Sequence, residues 1–386
     1  MDKNLKWGAW AVAFVWFTTH FGGGFASGRQ LVDFYVQYGW YAIFTPVISA
    51  GIITAVLYCA WTFSVKHKVY DYRSWSVAYY EPLGKLEPIF SFCIEIMYLI
   101  ILLMATGVAF STGGETIKQL VPELPYNVTT VGIALFIFAL TIWGAETVRK
   151  AATFMAILII SGMLVIYVSN LVVNFSSLVA VVETMPSANG GFWPAMWQSI
   201  KYAGLQCSLI GAYTAVADSL STQKDVKKAT LIGFVVNAGV LVLASTGALS
   251  HYPAILNKAE IPLPITYITR HGGGGSVGMA LFSMVMLLAV ISTGVGLIYG
   301  GARRISTWWM KRTGVTSSRK VDVASSAVYV ALSWYIASFG LIRLIAQGYA
   351  WVGILSTPLV VIPIIFVALL RRRQTPVPSV NPAPEA

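Results

Sequence analysis

Charged residues are scarce in this chain: they make up 11% of its 386 residues, whereas soluble domains carry about 25%. Hydrophobic residues account for 57%, and the mean hydropathy is +0.71. This composition excludes an ordinary soluble enzyme or binding domain. It predicts an all-α polytopic membrane protein, most of which lies in the bilayer.

Cysteine is also scarce, and Cys59, Cys93 and Cys207 all fall in apolar segments. Their spacing matches neither a disulfide framework nor a metal site. The glycine run at 272–275 lacks the Lys-Ser/Thr pair of a nucleotide-phosphate loop. We therefore expect no enzymatic activity and no resident cofactor.

The apolar segments predict ten membrane spans, and the first is interpreted as a retained helix rather than a cleaved signal peptide. Spans 1 to 5 cover about 5–36, 39–63, 88–112, 128–144 and 150–173. Spans 6 to 10 cover about 191–217, 228–250, 276–302, 322–345 and 348–370. The basic, then proline-rich tail at 371–386 is predicted to be disordered.

Lysine and arginine are concentrated in the predicted loops on the side of the N-terminus, such as 64–87 and 303–321. The positive-inside rule then places both termini in the cytoplasm. We expect a multi-pass protein of the bacterial cytoplasmic (inner) membrane. The net charge of +11 is dispersed over short loops. That dispersal favours anionic lipid, and not nucleic acid, as the counter-surface.

Three consecutive glycines, Gly22, Gly23 and Gly24, lie in the middle of span 1. Each costs a helix about 1 kcal/mol relative to alanine, so the run predicts a break in span 1. Broken backbone at membrane depth is tolerated where it lines a cavity. The free N–H groups after the break, on Gly24, Phe25 and Ala26, would bind a carboxylate, and the free carbonyls from Thr19 to Gly22 would coordinate a cation.

Span 6 has a second predicted interruption, where small and polar residues cluster between 203 and 208. Five spans in each half give the two halves opposite topology, and matched interruptions in such halves indicate a midplane binding site. We therefore add Tyr202, Gly204, Gln206 and Cys207 to the candidate substrate-binding residues. The alternative is that these glycines only permit close helix packing.

The run Gly22-Gly23-Gly24-Phe25-Ala26-Ser27-Gly28-Arg29 resembles the glycine-rich first-helix motif of the amino acid–polyamine–organocation (APC) superfamily, and is most similar to that of the YkvI-type permeases. The resemblance implies one LeuT-like domain, 1–370, with inverted repeats at about 5–173 and 191–370. It also implies a moving bundle of spans 1, 2, 6 and 7, a scaffold of spans 3, 4, 8 and 9, and spans 5 and 10 as gates.

Ala289, Ser292 and Thr293 share one face of span 8. The resemblance implies that such residues bind sodium together with two span-1 carbonyls, which here are those of Thr19 and Gly22. Sodium-independent relatives use a lysine of span 5 instead, and 156–165 contains none. Sodium is therefore the expected coupling ion. The alternative is that both hydroxyls hydrogen-bond back to their own helix.

Several ionisable residues lie inside predicted spans, which makes them functional candidates. Glu95 would bind a substrate amine or carry a proton, or serve as a structural partner. Lys201 would contact a carboxylate or pair with an acid. Arg29 and Asp33, one turn apart, would form an outer gate, pair with each other or contact substrate, although span 10 lacks the acid that a family-type gate requires. His20 is either a packing residue or a proton carrier.

Together these features predict a secondary active transporter of a small amino acid or related zwitterion or amine, coupled to sodium and working by alternating access. A proton-coupled carrier or exporter that uses His20 or Glu95 remains an alternative. So do a non-transporting ligand sensor and an ion channel, although no repeated pore segment is present. The expected partners are a small-molecule substrate, sodium or a proton, and the lipid bilayer.

Overall fold

The structure, a computed structural model, describes residues 8–186, 190–258, 261–314 and 319–373, with the backbone alone for 144–153, 156, 372 and 373. Every regular element of these residues is a helix. Six helices are long and apolar enough to cross a membrane, or seven if Ile157–Val173 and Phe175–Thr184, bent by 72°, form one span. The all-α membrane-protein prediction is therefore confirmed.

Each predicted span corresponds to a helix or to a set of short helices. Spans 2 to 5 are Thr45–His67, Glu87–Leu120, Tyr126–Trp143 and Ala145–Val173. Spans 7 to 9 are Gln223–Leu249, Gly275–Thr313 and Arg319–Ala337. Span 10 covers 341–373 and includes two π-helical stretches. Residues 1–7 and the predicted tail beyond Arg373 lie outside the described residues.

Spans 1 and 6 are both broken, as predicted. Span 1 consists of Gly8–His20, Gly23–Ala26 and Arg29–Phe34. Span 6 consists of Phe192–Cys207 and Ile210–Ala215. These interruptions explain why neither span qualifies as one long apolar helix.

The interruption of span 6 falls at Ser208 and Leu209, at the end of the predicted window. Gly204 lies within the first half of the span and packs against the Gly353 carbonyl of span 10. In turn, Gly353 packs against the Lys201 carbonyl. Gly204 therefore permits the backbones of spans 6 and 10 to touch, which is the packing alternative considered above.

A short helix, Pro264–His271, covers span 1 on the side opposite the N-terminus. The N–H of Ile265 donates to the Ser27 carbonyl at 3.3 Å. Gly28 beside it has φ +76°, and a Cβ there would lie 2.8 Å from the Ile265 nitrogen. Glycine is required for both reasons, so this residue fixes the short helix over the second half of span 1.

Candidate functional site

The break in span 1 leaves a defined set of backbone groups unpaired. Helical hydrogen bonding stops where the Phe21 N–H donates to Phe17, at 2.9 Å, and resumes where the Ala26 N–H donates to Gly22, at 3.0 Å. Between these bonds, the N–H groups of 22–25 and the carbonyls of 18–21 have no backbone partner among the described residues. Four free donors therefore meet four free acceptors in the middle of the span, as at any two helix ends.

This pattern shows which of the predicted backbone ligands are free of other hydrogen bonds. The Ala26 N–H, expected to bind a carboxylate, is already used by the Gly22 carbonyl, whereas those of Gly24 and Phe25 remain free. The Gly22 carbonyl, expected to coordinate sodium, has one lone pair engaged in that bond. The Thr19 carbonyl is free. The reason is that the second half of span 1 begins its helical hydrogen bonding one residue earlier than the glycine run suggests.

A cavity of about 390 Å³ lies beside the break. Its wall comes from span 1 and from spans 3, 5, 6, 8 and 10, and its lining residues include no lysine, arginine, aspartate or glutamate. Phe14, Ala212 and Gly300 line it. These three residues lie between the breaks and the N-terminal side of the protein, so the cavity extends toward that side.

The five residues predicted to bind sodium all line this cavity. Span 8 approaches the break closely: a Cβ added to Gly22 would lie only 3.1 Å from the Thr293 Oγ1. The Ser292 hydroxyl donates to the Ala289 carbonyl at 3.2 Å, which is the back-bonding alternative. That bond uses the Ser292 hydroxyl hydrogen and leaves the lone pairs of its oxygen available for a hard cation.

Half of the predicted substrate-binding residues line the cavity: Gly22, Gly23, Gly24, Phe25 and Gln206. Ala26, Tyr202, Gly204 and Cys207 are buried but are not part of its wall. Gly204 faces span 10 instead, where it packs against the Gly353 carbonyl.

Glu95 lies outside the cavity wall. It accepts a hydrogen bond from the Tyr72 hydroxyl at 3.3 Å. Tyr72 belongs to the short helix Tyr72–Tyr80, and the Arg304 guanidinium lies over its ring at 4.1 Å and over the Tyr98 ring at 4.4 Å. These contacts match the structural role considered for Glu95.

His20 links three spans. Its Nδ1 lies 2.7 Å from Asn237 Oδ1, and its Nε2 lies 2.9 Å from the Tyr202 hydroxyl. The Asn237 amide nitrogen donates to the Gly233 carbonyl at 2.7 Å. The network therefore assigns the Asn237 oxygen as the acceptor from His20 Nδ1, so Nε2 of a neutral His20 accepts from Tyr202. This arrangement ties span 1 to spans 6 and 7.

A buried ion pair lies on the side of the break that faces away from the N-terminus, whereas the cavity extends toward the N-terminal side. Arg29, fully buried, approaches Asp33 to 3.2 Å and donates to the Ile261 carbonyl at 3.2 Å. Lys258, in the segment after span 7, lies 3.1 Å from the same Asp33 oxygen. The pairing of Arg29 with Asp33 was one of the predicted alternatives, and Lys258 connects that pair to the covering segment.

Lys201 is half-buried, and no carboxylate of the described residues lies within 4 Å of its ammonium group.

Two polar residues of the site were not predicted from the sequence: Gln30, which lines the cavity, and Asn237, which hydrogen-bonds His20. A polar residue inside an apolar span was the signal available for both. Lys258 lies in a loop, and nothing in the sequence connects it with Asp33.

No known protein-family profile matches the chain. The chain is 23% identical over 373 residues to the uncharacterized membrane protein YkvI of Bacillus subtilis (strain 168), which covers 92% of this chain and 94% of YkvI. The predicted similarity to YkvI is therefore confirmed at the level of a membrane protein.

Solved structures with a similar fold are transporters. A Na⁺-coupled sialic acid symporter, substrate-bound and outward-open, has a TM-score of 0.62 and 14% identity, covering 94% of this chain and 90% of its own. Mhp1 in an inward-facing conformation has a TM-score of 0.63 and 15% identity, and the match covers 95% of this chain and 77% of the Mhp1 chain. Mhp1 is a nucleobase-cation-symport-1 family transporter. Its closed conformation with bromovinylhydantoin bound has a TM-score of 0.56 and 16% identity, and the match covers 87% of this chain and 74% of the Mhp1 chain. This chain thus has the LeuT-like fold, with spans 1 and 6 broken beside a central cavity.

Proposed function

We propose that this protein is a secondary active transporter that moves a small amino acid or related zwitterion together with sodium. The observation that carries the proposal is the break in span 1. Its four free N–H groups and four free carbonyls lie at a cavity that also contains the span-8 hydroxyls. A single site thus offers donors for a carboxylate and oxygens for a cation.

The carboxylate assignment rests on the second half of span 1. The N–H groups of Gly24 and Phe25 are free, and both residues line the cavity. The N-terminus of a half-helix attracts negative charge through these donors and through its dipole. Because the lining residues include no lysine or arginine, the backbone is the positive element available there for a carboxylate.

The sodium assignment rests on the contact between Gly22 and Thr293. The nominated oxygens come from residues at 19, 22, 289, 292 and 293, and all five residues line one cavity. A hard monovalent cation prefers such an oxygen set. The solved sialic acid symporter of similar fold is Na⁺-coupled, which supports the same assignment here.

Alternating access requires one side of the site to be closed while the other is open. Here the cavity extends toward the N-terminal side, while Arg29, Asp33 and the segment that contains Lys258 cover the opposite side. With the N-terminus in the cytoplasm, this arrangement corresponds to an inward-facing state of a bacterial inner-membrane protein. Outward opening would then break the Lys258–Asp33 pair.

Counterflow in proteoliposomes tests the proposal. Purified protein is reconstituted with an unlabelled amino-acid mixture inside, and uptake of single labelled amino acids is measured with and without sodium, against protein-free liposomes. We expect sodium-dependent exchange. Gly24→Val should abolish it, because a Cβ there already lies 2.6 Å from the Gln30 side-chain nitrogen and 2.9 Å from Val108.

Other outcomes would separate the alternatives. Exchange that depends on a pH gradient and not on sodium would transfer the coupling role to His20, which lines the cavity. Ligand binding without any exchange would identify a sensor. A decarboxylated amine that binds as well as its parent amino acid would contradict carboxylate recognition.

A further inference from the structure

Two glutamine side chains in the cavity wall have unused hydrogen-bond acceptors. Among the described residues, several buried side-chain polar atoms have no hydrogen-bond partner, and only two of the residues concerned line the cavity. Both are glutamines: the Oε1 atoms of Gln30 in span 1 and Gln206 in span 6 are the unpartnered atoms. Each residue is only 4% exposed.

A buried carbonyl without a partner costs folding free energy, so such groups are rare unless something else satisfies them. The two glutamines lie on the two broken spans, one after the break of span 1 and one just before the break of span 6. The Gln206 side chain also hydrogen-bonds the Tyr202 hydroxyl, but its Oε1 stays without a partner. The two unpartnered Oε1 atoms indicate acceptors that a ligand fills.

The position of Gln30 relates its amide to the backbone of the break. Its side-chain nitrogen lies 2.6 Å from where a Cβ on Gly24 would be. The amide therefore lies against the same backbone whose N–H groups at 24 and 25 are free. A ligand bound here meets the backbone donors close to the Gln30 amide, whose Oε1 is the unpartnered acceptor.

The charge of the cavity limits the ligand further. Because its lining residues include no lysine, arginine, aspartate or glutamate, a substrate with a net charge would lose its hydration without an oppositely charged side chain. The proposed sodium ion differs, because the five oxygens replace its hydration shell. A ligand without net charge avoids this cost. The cavity wall also contains aromatic side chains such as Phe21, Phe25 and Tyr349, which accommodate an apolar body.

We propose that Gln30 and Gln206 accept N–H hydrogen bonds from the substrate, and that the substrate is a net-neutral molecule with an N–H donor group beside a carboxylate or carbonyl acceptor. The inference rests on the proposed function and specifies how the substrate's nitrogen is recognised. The same chemistry occurs in the ammonium group of an amino acid and in the N–H groups of an uncharged cyclic amide.

Two probe panels distinguish these sources. The first contains the proteinogenic amino acids and derivatives fully methylated on the α-nitrogen, which keep the charge of the α-ammonium group but lose its N–H groups. The second contains 5-substituted hydantoins and their N1,N3-dimethyl derivatives. Affinity for the purified wild-type protein is measured by thermal shift in sodium-containing buffer. We expect members of one panel to bind, and the N-methylated derivative of each such member to bind at least tenfold more weakly.

Gln30→Met and Gln206→Met keep the side-chain volume and remove the amide, and each should weaken binding of the N–H compound about tenfold. The N-methylated compound should bind the wild type and the variants alike. Gln347→Met is the matched control, because Gln347 is an exposed glutamine of span 10 outside the cavity wall.

The inference is overturned if N-methylated compounds bind the wild type as tightly as their parents, a result that does not depend on how any variant folds. It is also overturned if both methionine variants bind like the wild type, or if no compound of either panel binds. If N–H compounds bind as expected but counterflow is absent, the proposed transport function fails and the recognition by Gln30 and Gln206 stands.

Discussion

Gly22 and Thr293 are in contact across the break of span 1: a Cβ on the glycine would lie 3.1 Å from the threonine Oγ1 and 3.3 Å from its Cγ2. Span 8 thus approaches the unpaired carbonyls of span 1 only because residue 22 has no side chain. The contact joins a helix of the implied moving bundle to one of the implied scaffold. It makes residue 22 the most direct position at which to disturb the proposed ion site.

Gly22→Ala should weaken the sodium dependence of substrate binding at least tenfold, because the new methyl group displaces the Thr293 side chain. The measurement is substrate affinity across a sodium titration at fixed ionic strength. Gly239→Ala is the matched control, since a Cβ at this exposed glycine of span 7 meets no atom within 4 Å. Equal sodium dependence in Gly22→Ala and the wild type would argue against an ion at this contact.

Ser292→Ala combined with Thr293→Val should also reduce sodium dependence more than tenfold, since each hydroxyl is expected to contribute about 1 kcal/mol. Ser283→Ala is the control. Ser283 lies on the same helix and donates to the Met279 carbonyl at 3.0 Å, but it does not line the cavity. A flat sodium response in the wild type itself would remove sodium from the mechanism. Linkage also requires the substrate to tighten sodium binding by the factor that sodium tightens substrate binding.

Asp33→Asn should destabilise the protein by about 3–5 kcal/mol, because it leaves the fully buried Arg29 without a carboxylate. Lys258→Met should cost about 1 kcal/mol or less, since that lysine is 43% exposed. Thermal unfolding of the purified variants measures both. If Lys258→Met destabilised as much as Asp33→Asn, the pair formed by Arg29 and Asp33 would not be the main element of this cluster.

Lys258→Met should also make the covered side more accessible. A cysteine introduced at Thr266 of the covering helix is expected to react faster with a membrane-impermeant thiol reagent in the Lys258→Met background than alone, because the pair that ties this segment to Asp33 is gone. The native cysteines require replacement first. An unchanged labelling rate would show that the Lys258–Asp33 pair does not hold the cover closed.

Acid should weaken the protein through His251, which lies after span 7. Burial, and then the nearby His271, lower the pKa of His251 to about 4. The folded state binds this proton less readily than the unfolded state. The contribution of neutral His251 to the stability of the folded protein is therefore fully present above about pH 6.5 and is lost as the pH falls toward 4. Its Nε2 lies 2.7 Å from Asn170 Oδ1.

His251→Gln should therefore reduce the loss of thermal stability between pH 7 and pH 4.5. The glutamine amide is able to donate to Asn170 at any pH in this range. The difference between the wild-type and variant pH profiles is the quantity to measure, since other groups contribute equally to both. Parallel profiles would mean that His251 titrates with its ordinary pKa.

The break of span 1 was predictable from sequence because three adjacent glycines remove helix propensity at one place. The break of span 6 was harder to locate, since it falls at Ser208–Leu209 while Gly204 serves helix packing. The place of Glu95 was not predictable, because span 3 is apolar over most of its circumference and periodicity does not identify the side that faces a cavity. Lys258 meets Asp33 only through the tertiary fold.

The role of Gln30 was also not predictable from the sequence. Its polarity inside an apolar span was a sequence signal, but no motif accompanies it, and its proposed role depends on the missing partner of its buried carbonyl. That kind of information depends on every neighbouring atom and is not available from residue spacing.

Spans 6 and 10 are in direct backbone contact through Gly204 and Gly353, so the distance between these two spans should stay constant. Spin labels at Trp197 and Trp351, exposed residues of these two spans, should report one narrow distance with and without sodium or substrate. Span 10 is then not an independent gate of the kind that the family resemblance implies, because it follows the first half of span 6. A third label on span 8 would detect any motion of this pair as one body relative to the rest of the protein.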